Sequence, residues 1–447
     1  MSTRHKKVVI IGGGIAGRNV VRELLRKKYP EEICLIKKEI HESYSPCGIP
    51  FVVSGEIPKM EDILFPKLDS RFKDSGVGIL SGTRVEKIDL KNKIVKTAKE
   101  ELPYDILIIA TGRKPRLLPI PGKDLNGVHK LLNYEDGLRL CENLKGVKKA
   151  VVVGAGFIGM EVASAFIKRG ILTTVVEIKE NILPDLLDSD MADIVRKNLE
   201  KKGAKIITGC AVSMINGTGK VESVTVNGNS VKIDADLVLI SAGIKPESEL
   251  AEKAGIETGK FGGIITDEKQ HVRTGGKFLS DVYALGDCVQ VKNKITGTPA
   301  LSPLVETAII QSKIIAGDIN NEDVGLNGFL SPGITVIGDL QAASVGLTEM
   351  TAKEAGISPK IIKTAGYSKE VYFPFNETVN LKLLIDGDYL MGAQIISGND
   401  IKGILDHTTC IISNRIKLKD VYYNERCYTP GLSSSPDVFR RALEKLF

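Results

Sequence analysis

The sequence predicts an α/β fold with two parallel-sheet units and a separate α+β region toward the C-terminal end. Three observations lead there. A strand, a glycine-rich turn and a helix follow one another twice, from Val8 and again from Ala150. Each time a later apolar strand ends in small residues, at 104–112 and at 236–243. From about Leu326 the pattern changes to strand-like runs separated by Gly-Asp turns, which reads as an antiparallel sheet with helices on it.

The chain has 447 residues, with 43% apolar and 26% charged side chains, ordinary for a globular protein with several domains. No apolar run is long enough to span a bilayer, so no membrane role is expected. The short basic start, residues 1–7, lacks the apolar core of a secretion signal, and a cytoplasmic location is expected. Seven cysteines without regular spacing do not read as a disulfide framework or a metal site. The net charge of +6 is spread along the chain, in pairs such as Lys27-Lys28, Lys37-Lys38 and Lys201-Lys202 that read as solvated faces. With no Trp and no interleaving of basic and aromatic residues, no nucleic-acid surface is expected.

Val8-Val9-Ile10-Ile11 is a short β-rich run suited to a buried parallel strand. Gly12, Gly14 and Gly17 follow at the G-x-G-x-x-G spacing, and a helical stretch runs on to Arg26. In this motif the first glycine makes the tight turn and the second admits a pyrophosphate to the backbone. The third packs helix on strand, with phosphate at the helix N-terminus. Ile33-Cys34-Leu35-Ile36 is the next strand. An acidic residue is expected at its end, to hold a ribose, but Lys37 stands there and the nearest acid is Glu39.

Ala110-Thr111-Gly112 ends the next apolar strand with residues small enough for something flat or charged to lie close. The second fingerprint is Gly154, Gly156 and Gly159, with Phe157 and then Glu161 on the following helix. Glu177 closes the next strand, 23 residues past Gly154, where a ribose-binding acid belongs. A carboxylate there repels a 2′-phosphate and favours NADH, while Lys179 leaves room for NADPH. The strand ending in Gly243 mirrors the one ending in Gly112. Residues 281–287 form a further strand expected to run into a helix, with Asp287 placed to accept from a ribityl hydroxyl or to cap that helix.

One more stretch carries chemistry: Ser43-Tyr44-Ser45-Pro46-Cys47-Gly48-Ile49-Pro50-Phe51. Cys47 stands just before an expected helix start, with Pro50 in its first turn. The positive end of a helix dipole favours the reactive thiolate.

These motifs together resemble the flavin-dependent pyridine nucleotide–disulfide oxidoreductases, over nearly the whole chain. The resemblance rests on residues 12–17, 110–112, 154–161, 283–287 and the run Ala343-Ser344-Val345-Gly346-Leu347-Thr348-Glu349. It implies an FAD-binding domain made of 1–114 and 243–325, an NAD(P)-binding domain at 115–242, and a dimerisation domain at 326–447. Gly12, Gly14, Gly17, Glu39, Ala110, Thr111, Gly112, Asp287, Ala300 and Gly243 would serve the cofactors, as would Gly154, Gly156, Phe157, Gly159, Glu161 and Glu177.

Members with a redox disulfide carry a second cysteine five residues after the first, and here that position is Val52. The chain therefore resembles the single-cysteine branch of coenzyme A disulfide reductases, NADH oxidases and NADH peroxidases. The histidine that peroxidases and water-forming oxidases carry in the first glycine loop is replaced by Ile15. That favours the coenzyme A disulfide reductase side, and the end of the chain at Phe447 leaves no fused rhodanese domain expected. The resemblance implies a homodimer in which Tyr428, and with it Tyr372, acts as proton donor across the subunits. It places coenzyme A against Asn19, Arg26 and Ser43. Cys34, Cys141 and Cys410 read as core, and Cys427 is a candidate for exchange with Cys47. Oxygen, polysulfide or sulfur remain alternative acceptors, and a redox sensor with little turnover is the alternative from another class.

Overall fold

The computed structural model describes residues 6–116, 118–227 and 231–447; the first five residues of the basic start lie outside them. The described chain divides into two compact units. One comprises Met1–Cys47, Glu61–Arg116 and Ile244–Phe329; the other comprises Gly48–Met60, Leu117–Gly243 and Leu330–Phe447.

The first unit is built on a six-stranded sheet. Its order is His271–Thr274, Lys277–Ala284, Ile106–Ile109, Val8–Ile11, Ile33–Ile36, Gly78–Leu80. All neighbours are parallel except the first pair, and Val8 lies in register with both Ile33 and Ile106. The central strands are buried on both faces, which explains their unbroken apolar runs. Alternate residues feed two cores. Val8, Ile10, Leu35 and Ile108 pack with Val20, Val21 and Leu24 of the helix Ile15–Arg26. Val9, Ile11, Ile36 and Ile109 pack on the opposite side with Val95, Val272 and Val289.

The second unit contains two sheets on which its functional loops stand. A five-stranded parallel sheet runs Lys205–Ile207, Leu172–Val176, Lys149–Val153, Leu237–Ile240, Val128–Lys130. The helix Phe157–Lys168 follows its central strand. The C-terminal sheet is wholly antiparallel, in the order Gly333–Ile337, Leu340–Gly346, Tyr389–Ser397, Thr378–Asp386, Lys360–Tyr367. Helices Lys402–Ser413 and Val438–Glu444 are among the helices of this α+β region. The architecture is the expected one: two dinucleotide-binding α/β sheets and a C-terminal α+β sheet.

Three details differ from the sequence reading. The strand ending at Ala284 does not run into a helix. A short helical turn, Gly286–Cys288, leads into another strand, Val289–Lys292, because Val289 and Val291 are drawn into the core. Lys37 is not on a solvated face but is 3% exposed. Cys410 is exposed rather than core, on the outward side of its helix. Among the described residues no helix is long and apolar enough to cross a membrane.

Candidate active site

Both glycine loops divide the three glycines of the G-x-G-x-x-G motif the same way. Gly12 has φ +117, and a Cβ there would lie 2.1 Å from the Ala110 carbonyl oxygen. A Cβ on Gly17 would lie 2.0 Å from the Gly12 carbonyl oxygen. These two glycines are forced by the protein's own packing. A Cβ on Gly14 would meet nothing within 4 Å, although Gly14 caps the helix Ile15–Arg26. In the second loop Gly154 and Gly159 are packed in the same manner, and Gly156 is likewise open. Only the middle glycine of each loop faces space that the chain leaves empty, at a helix N-terminus with no side-chain cap. That is a cradle for a diphosphate, and it fits a dinucleotide in each loop.

The lysine at the end of the second strand passes beneath the first loop: Lys37 Cβ lies 2.5 Å from where a Gly13 Cβ would be. Its ammonium is buried in an ion pair with Asp69 and donates to the His41 carbonyl at 2.6 Å. A buried charge is tolerated only when so paired. The Lys37 ammonium is thereby committed to Asp69 and the His41 carbonyl, and Glu39 beyond it is partly exposed. Ser43 is buried at the same cluster, with its hydroxyl 3.4 Å from Asp69 Oδ1. Asn19 is buried and donates to the Ile15 carbonyl, whereas Arg26 is exposed and pairs with Glu23 at 2.8 Å.

On the same unit Thr111 donates to the Glu247 carbonyl, and Gly112 has φ +74 with open space where a side chain would stand. Asp287 is partly buried and pairs with Arg113 at 3.2 Å. Burial pushes its carboxyl up, and Arg113 opposes this. Ala300 pairs with Val291 in a short hairpin.

In the second unit Glu177 is buried. One carboxylate oxygen accepts from the Ala155 N–H at 2.6 Å and the other from the Lys179 N–H at 2.9 Å. The acid is thus tied by Ala155 to the second glycine loop. Gly243 repeats Gly112, with φ +96 and open space. Glu161 accepts from the Thr335 hydroxyl at 2.7 Å; burial raises its pKa and that hydrogen bond opposes the rise. Phe157 stands at the helix start, its ring tip 3.0 Å from where a Gly333 Cβ would be.

Cys47 is exposed in the turn Pro46–Gly48, and the chain continues into the helix Ile49–Ser54 with no side-chain cap on its first N–H groups. The segment before it is pinned from two sides. Ser45 and Phe65 donate to the Ile63 and Ser43 carbonyls, forming a short bridge. Arg18 donates to the Tyr44 carbonyl at 3.1 Å while its guanidinium lies 4.4 Å over the Phe65 ring. Burial brings the Arg18 pKa down to about 10, so it stays charged at neutral pH. The far end of the helix is held by Arg169, whose guanidinium donates to the Val53 and Val52 carbonyls. Neither arginine was visible as a site residue from local pattern, because each acts on backbone far along the chain.

Tyr372 and Tyr428, read separately from the sequence, come near enough for one phenol to act on the titration of the other. Tyr428 donates to Glu370 at 3.1 Å. Desolvation, then the hydrogen bonds to Glu370 and Tyr372, push the Tyr428 phenol up to about 12. Of the other cysteines, Cys34 and Cys288 are buried and burial raises their thiol pKa; Cys427 is exposed near Arg426 and Arg440.

The family described as pyridine nucleotide-disulphide oxidoreductase matches residues 6–309, and its dimerisation domain matches residues 333–437. The chain belongs to that family. It is similar to the NADH oxidase of Methanocaldococcus jannaschii, 34% identical over 98% of each chain. It is also similar to the CoA-dependent NAD(P)H sulfur oxidoreductase of Pyrococcus furiosus, 31% identical over 95% of each. Among solved structures, an NAD-dependent persulfide reductase from A. fulgidus superposes with TM-score 0.93 and 29% identity, covering 98% of this chain and 83% of that one. As a pyridine nucleotide-disulphide oxidoreductase, the chain is an FAD-dependent NAD(P)H oxidoreductase, and the cradles at Gly14 and Gly156 suit those two dinucleotides.

Proposed function

We propose that the protein uses NAD(P)H to reduce a low-molecular-weight S–S bond, foremost that of coenzyme A disulfide, through the single thiol of Cys47. The observation that carries this reading is the exposed Cys47 at a helix start, with Val52 where a second redox cysteine would stand. Residues 12–17 and Asp287 would hold FAD, and residues 154–159 with Glu177 would hold the nicotinamide dinucleotide. Bound FAD supplies the two-electron exchange between nicotinamide and sulfur.

The chain's own groups account for the rest. The Cys47 thiolate attacks one sulfur of the disulfide: a Cys47–S bond forms, the substrate S–S bond breaks, and a thiolate leaves. Tyr428 of the second subunit gives that thiolate a proton. Reduction of the mixed disulfide releases the second thiol and restores the Cys47 thiolate. One NAD(P)H and one proton are consumed for two thiols formed. Asn19, Arg26 and Ser43 would face the coenzyme A moiety, Arg26 through the affinity of its guanidinium fork for phosphate.

A Cys47→Ser variant is expected to accept electrons from NADH, seen as flavin bleaching, yet to lose coenzyme A disulfide reduction by at least about a thousandfold. Full disulfide reductase activity in that variant overturns the reading. A second reading has support in the Pyrococcus furiosus relative, which is a CoA-dependent sulfur reductase. The same thiolate could attack a sulfane sulfur. Anaerobic NADH consumption with coenzyme A disulfide, with polysulfide, and aerobically with neither, separates disulfide, sulfur and oxygen as acceptors.

A further inference from the structure

The tyrosine pair has a third member that the sequence reading did not include. Glu370 Oε1 accepts from the Tyr428 hydroxyl at 3.1 Å and from the Ser435 N–H at 2.9 Å. The Glu370 backbone N–H donates to the Pro430 carbonyl at 3.2 Å. Its carbonyl accepts from the Phe373 N–H at 2.9 Å and from the Asn376 side chain at 3.3 Å. One residue therefore ties the turn that carries Tyr372 to the turn that carries Tyr428. It acts together with the Phe373 ring, which packs against Gly431, to fix two largely exposed phenols on two loops relative to each other.

We propose that Glu370 is a positioning residue that holds the Tyr428 phenol in its neutral, proton-donating form beside Tyr372. This rests on the disulfide-reductase reading, in which Tyr428 protonates the leaving thiolate. The chemistry follows from what an ionised carboxylate can do. It accepts hydrogen bonds and donates none, so the hydrogen between Glu370 and Tyr428 belongs to the phenol. It also opposes a second negative charge beside it, so tyrosinate is disfavoured, consistent with the pKa of about 12. The titratable groups that act most strongly on Tyr428 are Glu370 and Tyr372. When Tyr428 gives its proton to the departing sulfur, the tyrosinate left behind faces Glu370 and is driven to regain a proton from water. The phenol is thereby reset for the next turnover.

The test uses the holoenzyme, reduced anaerobically with NADH and mixed with coenzyme A disulfide in a stopped-flow instrument between about pH 8 and 10.5. Glu370→Gln keeps an oxygen to accept from Tyr428 and Ser435 but removes the charge. In the variant the Tyr428 pKa should fall part of the way toward the usual value of about 10, because desolvation and Tyr372 still hold it up, so the rate of disulfide reduction at pH 10.5 should drop measurably, by up to about fourfold, relative to wild type. Reduction by NADH should match wild type at every pH. Superimposable pH profiles for wild type and Glu370→Gln, with Tyr428→Phe slow throughout, would show Glu370 to be scaffold only and overturn the inference. A Tyr428→Phe variant as fast as wild type overturns the donor reading itself, and the two failures are thus distinguishable.

Discussion

At the scale of single residues, the six motif glycines of the two loops, three in each, separate into two kinds by what a methyl group would strike. Gly17→Ala drives a Cβ into the Gly12 carbonyl, and the helix must shift off the strand. Gly14→Ala adds a methyl that the chain can house, at φ −72, which any residue adopts. Gly14→Ala should therefore leave the stability of cofactor-free protein within about 0.5 kcal/mol of wild type while weakening FAD binding by at least about tenfold. Gly17→Ala should destabilise the cofactor-free protein by about 1–3 kcal/mol. Chemical denaturation and flavin titration of the two variants check this, and equal loss of stability in both would remove the distinction. The glycine spacing was legible because the loop needs each glycine at its own position. The partner of Lys37 was not, because Asp69 lies 32 residues away and no local periodicity links them.

At the scale of elements, the strand His271–Thr274 is tied to the helix Val305–Ile319 by a network of charges. His271 is 2.9 Å from Asp267 and 3.1 Å from Asp318, with the Tyr283 ring tilted against it at 4.7 Å. Asp318 also accepts from Tyr283 and Lys269. Burial lowers the His271 pKa, but the two carboxylates more than offset it, and the net direction is up. A folded-state pKa above the unfolded value means that stability from this histidine is fully present below about pH 6.5. It is lost as pH rises through the raised value. His271→Asn should flatten that part of the stability–pH curve in denaturant titrations, and an unchanged slope there would refute the assignment. The sequence showed the strand positions in this region better than their successors. Asp287 at a strand end reads as a helix cap, yet Val289 and Val291 continue as strand because the core has places for them. The C-terminal sheet was legible from its Gly-Asp turns. Its centre was not: Lys382 is fully buried, and its ammonium meets Asp188 and Asp190, both at 2.8 Å, and also Glu349. A lysine in a strand reads as solvent-facing until its distant carboxylates are known.

At the scale of the whole molecule, the residues matched by the dimerisation domain leave large apolar side chains uncovered. Val371, Tyr372, Phe375 and Leu432 are 68%, 72%, 85% and 81% exposed. A lone chain has no reason to show them together to water. Sedimentation at micromolar concentration should find a species of twice the 48.4 kDa of one chain. Phe375→Glu with Leu432→Glu should shift it to monomer and abolish disulfide reduction while sparing reduction by NADH. A monomeric wild type of full activity would rule out a shared site. The first sheet has its own consequence for how the protein is made. Its central strand, Val8–Ile11, borders Ile106–Ile109, which in turn borders Lys277–Ala284. A ribosome must therefore deliver well over half of the polypeptide before that sheet can close. Until then the earliest strands wait with open edges, and nascent chains are exposed to aggregation for the whole interval.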